Sequence, residues 1–223
     1  MYASHFSIDN IPYGIASSQT HVSRTLVTRL EDNVIFLDEL AEYTECKLPK
    51  ATISTFSSNT VNDFAALSKS EQFDTRKWIQ SVLASNLEDL PPACISHITA
   101  AKMHLPISVG DFVDFSCSRN HVLNASEAVF GKRELPPAFD QFPIGYHGRT
   151  STIVVSGTPV VRPSGQYRGP EGGIVFGPTK RLDYELEVAA VIGKPSTLGT
   201  PVKIADADEH IFVLVLLNDW SGT

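Results

Sequence analysis

The stretch LDYELEVAAVIG, residues 182–193, alternates acidic and apolar side chains with a period of two. In an extended strand successive side chains face opposite sides, so Asp183, Glu185 and Glu187 share one face while Leu182, Tyr184, Leu186 and Val188 share the other. Spacing alone leaves two readings open: the solvated outer face of a half-buried strand, or a cation site. Either reading predicts a strand, and the sequence around it points the same way. STIVVSGTPVVRP (151–163) and HIFVLVLLNDW (210–220) also read as strands, the second as the most hydrophobic strand of a core. Loops dense in Gly and Pro, notably PSGQYRGPEGG (163–173), lie between them.

Earlier in the chain the pattern changes. Residues 1 to about 45 read as short strands and turns, including NIPYGIA and TLVTRLEDNVIFLDELAEY, with a hairpin around Glu31 to Asn33. From Thr60 to Leu87 the apolar spacing becomes helical, and Trp78, Ile79, Val82 and Leu83 form a candidate buried stripe, with Phe73 off it. Leu90-Pro91-Pro92 breaks that helix. ACISHITAAKMHLPISVGDF, punctuated by Pro106 and Gly110, reads as the crossing into a second unit. The expected organisation is a small N-terminal domain over residues 1–103 and a larger β-rich domain over 104–223. The fold class is mostly β with some α.

Composition narrows the function. The chain of 223 residues is 42% hydrophobic and 19% charged, which suits a globular domain with a core. A net charge of −7 without a Lys/Arg block gives nucleic acid no electrostatic footprint. The longest apolar run, IFVLVLL, is strand-sized, so no membrane partner is expected, and MYASHFSIDNIPYG has neither the basic region nor the apolar core of a signal peptide. Cys46, Cys94 and Cys117 are widely spaced and odd in number, which argues for a reducing compartment and a cytoplasmic location. No CxxC or HExxH pattern supports zinc.

The acids Asp114 and Asp219 join Glu185 and Glu187 as candidate oxygen ligands, a hard donor set that suits Mg2+ or Ca2+. For Asp219 the alternative is a turn or cap residue. His121, seven residues after Asp114, is either a loop histidine or a general base beside a metal-bound electrophile. His147 sits between glycines that could let the backbone approach a ligand, whereas His104 and His210 adjoin strands and read as structural. Nothing in sequence activates Cys117 as a nucleophile.

Taken in order, NIPYG, MHLPISVGDFVDF, FPIGYHGR, STIVVSGTPVVRP, LDYELEVAAVIG and EHIFVLVLLNDWS resemble the fumarylacetoacetate hydrolase family in its eukaryotic two-domain form. The N-terminal segment favours the fumarylacetoacetase branch over the shorter acylpyruvate hydrolases. The resemblance implies an N-terminal SH3-like barrel and an incomplete C-terminal catalytic domain of rolled, mixed β-sheet. It also implies a homodimer acting on a small diketo acid, cleaving 4-fumarylacetoacetate to fumarate and acetoacetate in the last step of tyrosine and phenylalanine breakdown. The metal ligands of the family fall on Asp114, Glu185, Glu187 and Asp219, its general base on His121 and a substrate-binding tyrosine on Tyr146. Asp183 and Asp111 take no role.

Two positions depart from the pattern. A substrate-contacting tyrosine of the family falls on Ser116, and an arginine falls on Gly131, which Arg133 replaces only if its loop shifts. The family also continues past NDWS with an ARD-type segment, whereas this sequence reads SGT to Thr223. The glutamate that orients the histidine, with a lysine and a glutamine that hold developing charge, belongs to that continuation. The expectation from the resemblance is therefore a truncated chain with little activity by itself. Its alternatives are a non-catalytic paralogue, or a hydrolase of another 1,3-diketone.

Overall fold

The computed structural model describes residues 2–85, 87, 89–142 and 144–222. Pro143 of the FPIGYHGR motif and Thr223 thus lie outside the described residues. The chain forms two compact units, one containing residues up to Ile107 together with those from Val155 on, the other Ser108–Val154.

The first unit is organised by a curled half-barrel sheet of five antiparallel strands in the order β4-β3-β2-β1-β5. Its strands are β1 (Tyr13–Ser17), β2 (Thr25–Leu30), β3 (Asn33–Phe36), β4 (Ile95–His97) and β5 (Lys102–His104). The β2–β3 hairpin turns at Glu31 and Asp32, where sequence places it, with Glu31 at φ 52°. Arg29 secures that turn: its Nε donates to the Glu31 carbonyl at 2.6 Å and its guanidinium lies 3.8 Å from the Phe6 ring centroid. At the other edge, Ser17 Oγ and His104 Nε2 lie 2.9 Å apart, and β5 pairs with β1. A boundary between residues 103 and 104 therefore cuts this strand. The chain leaves the sheet only after His104.

Among the described residues, the helices that pack on this sheet are α1 (Leu37–Tyr43), α2 (Lys50–Ser54), α3 (Asn62–Ala65) and α4 (Lys69–Ser85). The start of α4 is fixed by a reciprocal box, in which Ser68 Oγ accepts the Glu71 N–H at 3.3 Å and Glu71 Oε2 accepts the Ser68 N–H at 3.0 Å. Ile79 and Leu83 are buried, Trp78 and Val82 are partly buried against the same core, and Phe73 is exposed, as the apolar stripe requires. Thr75, one turn before Ile79, completes the buried face by donating its hydroxyl to the Glu71 carbonyl at 2.8 Å. LDELAEY is helical rather than extended, because Leu37 and Leu40 at i and i+3 both enter the core.

Cys94 is buried in this core, and removal from water pushes its thiol up to about 11, with the Glu39 and Asp38 carboxylates adding to the effect. At about pH 8 Cys94 is a neutral thiol. It is expected to resist a thiol-specific chromogenic reagent until the protein is denatured, whereas the exposed Cys117 reacts in the native state. Counting thiols released before and after denaturant checks this; native reaction of Cys94 contradicts it.

The rest of the first unit is two antiparallel ribbons: β8 (Ser164–Arg168) with β9 (Ile174–Pro178), and β10 (Leu182–Ile192) with β11 (Ile211–Gly222). The second pair confirms both strands expected there, β10 from the alternation of LDYELEV and β11 from the apolar run IFVLVLL. STIVVSGTPVVRP does not form a strand: a 3-10 turn covers Thr150–Thr152, and beyond it Gly157 at φ 88° and two prolines prevent a continuous ladder. The Gly/Pro-rich loop expected after it contains β8 instead, turned back toward β9 through Gly172 at φ 84°.

Phe212 anchors the start of β11 in the core, with its ring centroid 5.8 Å from that of Phe64 and 6.0 Å from that of Tyr13. Lys69 Nζ donates to the adjoining Ile211 carbonyl. Further along, β11 is not the buried strand that its hydrophobicity predicts. Leu214 and Leu216 are exposed, as are Tyr184, Leu186 and Val188 beside them on β10. A ribbon buries a face only where another element covers it, and among the described residues none covers this one. No helix among the described residues is long and apolar enough to cross a membrane.

Candidate active site

Glu185 lies opposite Asp219 in the β10–β11 ladder, and Glu187 lies opposite Leu217. Directly opposed residues share a face of an antiparallel pair, so Glu185, Glu187 and Asp219 project together on the side away from Leu186 and Val188. The ladder thus brings to one face acids that are more than thirty positions apart in sequence. Carboxylate oxygens of Glu187 and Asp219 come within 4.8 Å of one another, while Glu185 is outside that convergent group. Asp183 also follows the alternation, but its Oδ1 accepts the Tyr184 N–H at 2.8 Å, a local backbone contact in place of a place in the group.

The donor set fits a divalent cation. Oxygen ligands bind Mg2+ at about 2.0–2.1 Å and Ca2+ at about 2.3–2.6 Å, so two on one ion stand up to roughly 4–5 Å apart. The Glu187–Asp219 spacing falls within that reach, and the ligands are hard carboxylates without thiolate or imidazole.

The second unit carries the other candidates. Its two strands, β6 (Val113–Phe115) and β7 (Gly145–His147), pair antiparallel with Asp114 opposite Tyr146. The Tyr146 hydroxyl donates to Asp114 Oδ2 at 2.7 Å, a short bond to a charged acceptor. The flanking glycines serve packing. A Cβ on Gly145 would stand 2.6 Å from the Phe115 ring, and one on Gly148 2.0 Å from the Phe112 ring. They bring backbone against aromatic rings, and His147 gains a neighbour in Asp111, with Nδ1 and Oδ1 3.5 Å apart and both side chains exposed. His147 is opposite Val113 in the ladder, so it projects to the face away from Asp114 and Tyr146.

His121 is on a helix, α5 (Arg119–Phe130), that residue periodicity does not announce because none of its side chains is buried. Its termini give the signal instead. Ser118 is the N-cap, its side chain accepting the His121 N–H at 3.4 Å, and Gly131 ends the helix at φ 70° with its N–H on the Glu127 carbonyl at 2.9 Å. Gly131 is therefore a left-handed cap, a conformation in which an arginine would be strained. Arg133, the candidate substitute, is held back on the helix by Glu127 at 3.1 Å and by Asn124. Cys117 has no hydrogen-bond partner for its thiol among the described residues, which leaves it without an activating base.

A cleft of about 650 Å³ opens beside α5, with Ser116, His121, Val122, Phe130, Lys132 and Ile144 in its walls. The backbone N–H of Ser116 donates to the Ile144 carbonyl at 2.8 Å, which fixes that wall. An imidazole and a hydroxyl in a largely apolar cleft can receive a small organic molecule and exchange a proton with it.

Comparison with known proteins matches the chain twice: residues 9–106 to the family model Fumarylacetoacetase N-terminal, and residues 112–223 to Fumarylacetoacetate (FAA) hydrolase C-terminal. Among curated proteins it is 39% identical over 228 residues to the fumarylacetoacetase of Caenorhabditis elegans, covering 98% of this chain and 54% of that protein. It is 38% identical to the fumarylacetoacetase of Dictyostelium discoideum and 35% to that of Rattus norvegicus, with the same coverage of each. The chain spans about half the length of the curated relatives it matches.

Proposed function

Because the chain belongs to the fumarylacetoacetate hydrolase family, we propose that it serves in metal-dependent hydrolysis of a carbon–carbon bond in 4-fumarylacetoacetate, releasing fumarate and acetoacetate. This is the last step of tyrosine and phenylalanine breakdown, carried out by a cytoplasmic homodimer. The observation that carries the reading is the pair of carboxylates, Glu187 and Asp219, that converge across the β10–β11 ladder. Glu185 on the same face joins the proposed ligands for Mg2+ or Ca2+, to which the family resemblance assigns Asp114 as well.

When bound, such an ion supplies Lewis-acid polarisation of the diketone oxygens. The chain's own residues supply binding and proton movement. His121 accepts a proton from water through its imidazole, and the water oxygen bonds to the carbonyl carbon next to the unsaturated acid. The bond from that carbon to the neighbouring methylene then breaks. Its electron pair passes to the departing fragment as an enolate, and the proton held on His121 returns to that carbon. Tyr146, oriented by Asp114, binds the substrate.

Two observations favour a second substrate among the 1,3-diketo acids. Ser116 lines the cleft where the resemblance implies a tyrosine, and Gly131 caps a helix where it implies an arginine. The deciding experiment follows the loss of diketone absorbance with the protein as its gene encodes it, over several 1,3-diketo acids. Turnover that a chelator abolishes and Mg2+ or Ca2+ restores supports the proposal. Absence of turnover, or turnover indifferent to chelation, overturns it.

A further inference from the structure

The cleft beside α5 contains a cation that the mechanism leaves unused. Lys132 lines it together with His121 and Ser116, while Val122, Phe130 and Ile144 make much of the remaining wall apolar. Two neighbouring cations differ in availability. Arg133 is engaged by Glu127 at 3.1 Å and by Asn124, whereas the Lys132 ammonium has no ion-pair partner among the described residues. The Lys132 backbone is also fixed. Gly131 reverses the chain at φ 70°, and the Ser126 hydroxyl donates to the Lys132 carbonyl at 2.7 Å, tying this residue back to the helix that carries His121.

An ammonium without an ion-pair partner among the described residues, at a largely apolar cleft that also holds an imidazole, has the chemistry to receive a short organic acid. We propose that Lys132 is the specificity-determining residue that pairs with the carboxylate end of the ligand, whose carbon body rests on Val122, Phe130 and Ile144. The inference rests on the hydrolase reading for the identity of that acid, but its own evidence is the cleft. Glu134 lines the same cleft and opposes an anion, so Lys132 and Glu134 should act in opposite directions. A lysine is a point charge on a flexible stem and lacks the planar fork of an arginine, so the anchor accepts carboxylates in varied orientations.

The test is binding, read by calorimetric titration of fumarate and of neutral fumaramide into the protein, with Lys132→Met and Glu134→Gln as variants. Both side chains are exposed, and the two variants give opposite signs, so a folding defect cannot imitate the pattern. Lys132→Met is expected to weaken fumarate binding about tenfold, and Glu134→Gln to strengthen it, with fumaramide changing less than about twofold in either. Fumarate affinity unaltered in Lys132→Met, or no fumarate binding by the unsubstituted protein at millimolar concentration, overturns the proposal. Diketone turnover on the same preparations separates the two claims. Turnover with no dependence of KM on Lys132 removes the anchor alone, and Lys132-dependent fumarate binding without turnover removes the hydrolase reading alone.

Discussion

His121→Asn is expected to lower kcat for diketone hydrolysis by about 10² to 10⁴, the range that a positioned general base contributes. The exchange should leave the helix intact, because the contact that positions residue 121 is made by its backbone N–H to the Ser118 side chain. What it removes is the imidazole that lines the cleft. An asparagine amide neither accepts a proton from water nor returns one to carbon, so the loss should fall on kcat with KM much less affected. Steady-state kinetics on the protein as its gene encodes it, with circular dichroism to show an unchanged fold, check this. A variant within about threefold of the parent kcat would exclude His121 as the base.

Phe64→Ala is expected to destabilise the first unit by about 3–5 kcal/mol, the usual cost of deleting a buried phenyl ring. Phe64 is fully buried, and its ring meets Tyr13 at 4.8 Å, Phe56 at 6.2 Å and Phe212 at 5.8 Å between centroids. It therefore joins the first sheet, the helical layer and the start of β11. Truncation leaves a cavity among three aromatic rings that cannot all close over it, so the loss belongs at the high end for a core substitution. Denaturant unfolding read by tryptophan fluorescence reports on this core directly, because Trp78 stacks on Phe56 with centroids 5.9 Å apart. A midpoint shift equivalent to less than about 1 kcal/mol would show that β11 is not anchored through this cluster.

The fold was legible where one period ran long enough to dominate. β10 follows from alternation, β11 from an apolar run of strand length, and α4 from the stripe of Ile79 and Leu83. Short elements fail that test for physical reasons. The helix at LDELAEY spans under two turns, and α5 buries no side chain, so neither leaves a usable period. In SGQYR the glycine reads as loop, yet it sits within a β-hairpin whose backbone bonds do not depend on composition. Burial was the least legible property: the hydrophobicity of β11 predicts a covered strand, but coverage depends on a second layer that local sequence does not encode.

The site divides along the same line. That Glu185 and Glu187 share a face follows from strand geometry, and that much can be read from seven residues. That Asp219 joins them depends on the register of β10 against β11, and the contact of Tyr146 with Asp114 depends on the register of β6 against β7. Registers of this kind are set by pairing across long separations, so periodicity offers no signal for them. Lys132 carries no sequence signal for a different reason. It follows a glycine whose cap conformation is visible only once the helix before it is known.

Metal-dependent hydrolysis requires that the carboxylates of the β10–β11 face hold a divalent cation. The direct measurement is calorimetric titration of Mg2+ and Ca2+ into chelator-stripped protein, compared with a Glu187→Gln/Asp219→Asn double variant. Saturable binding is expected in the parent, with a loss of about 10²-fold or more in the variant, since even residues that only support metal ligands cost about 10–100-fold when changed. Equal cation affinity in parent and variant, or no saturable binding in the parent, would contradict it.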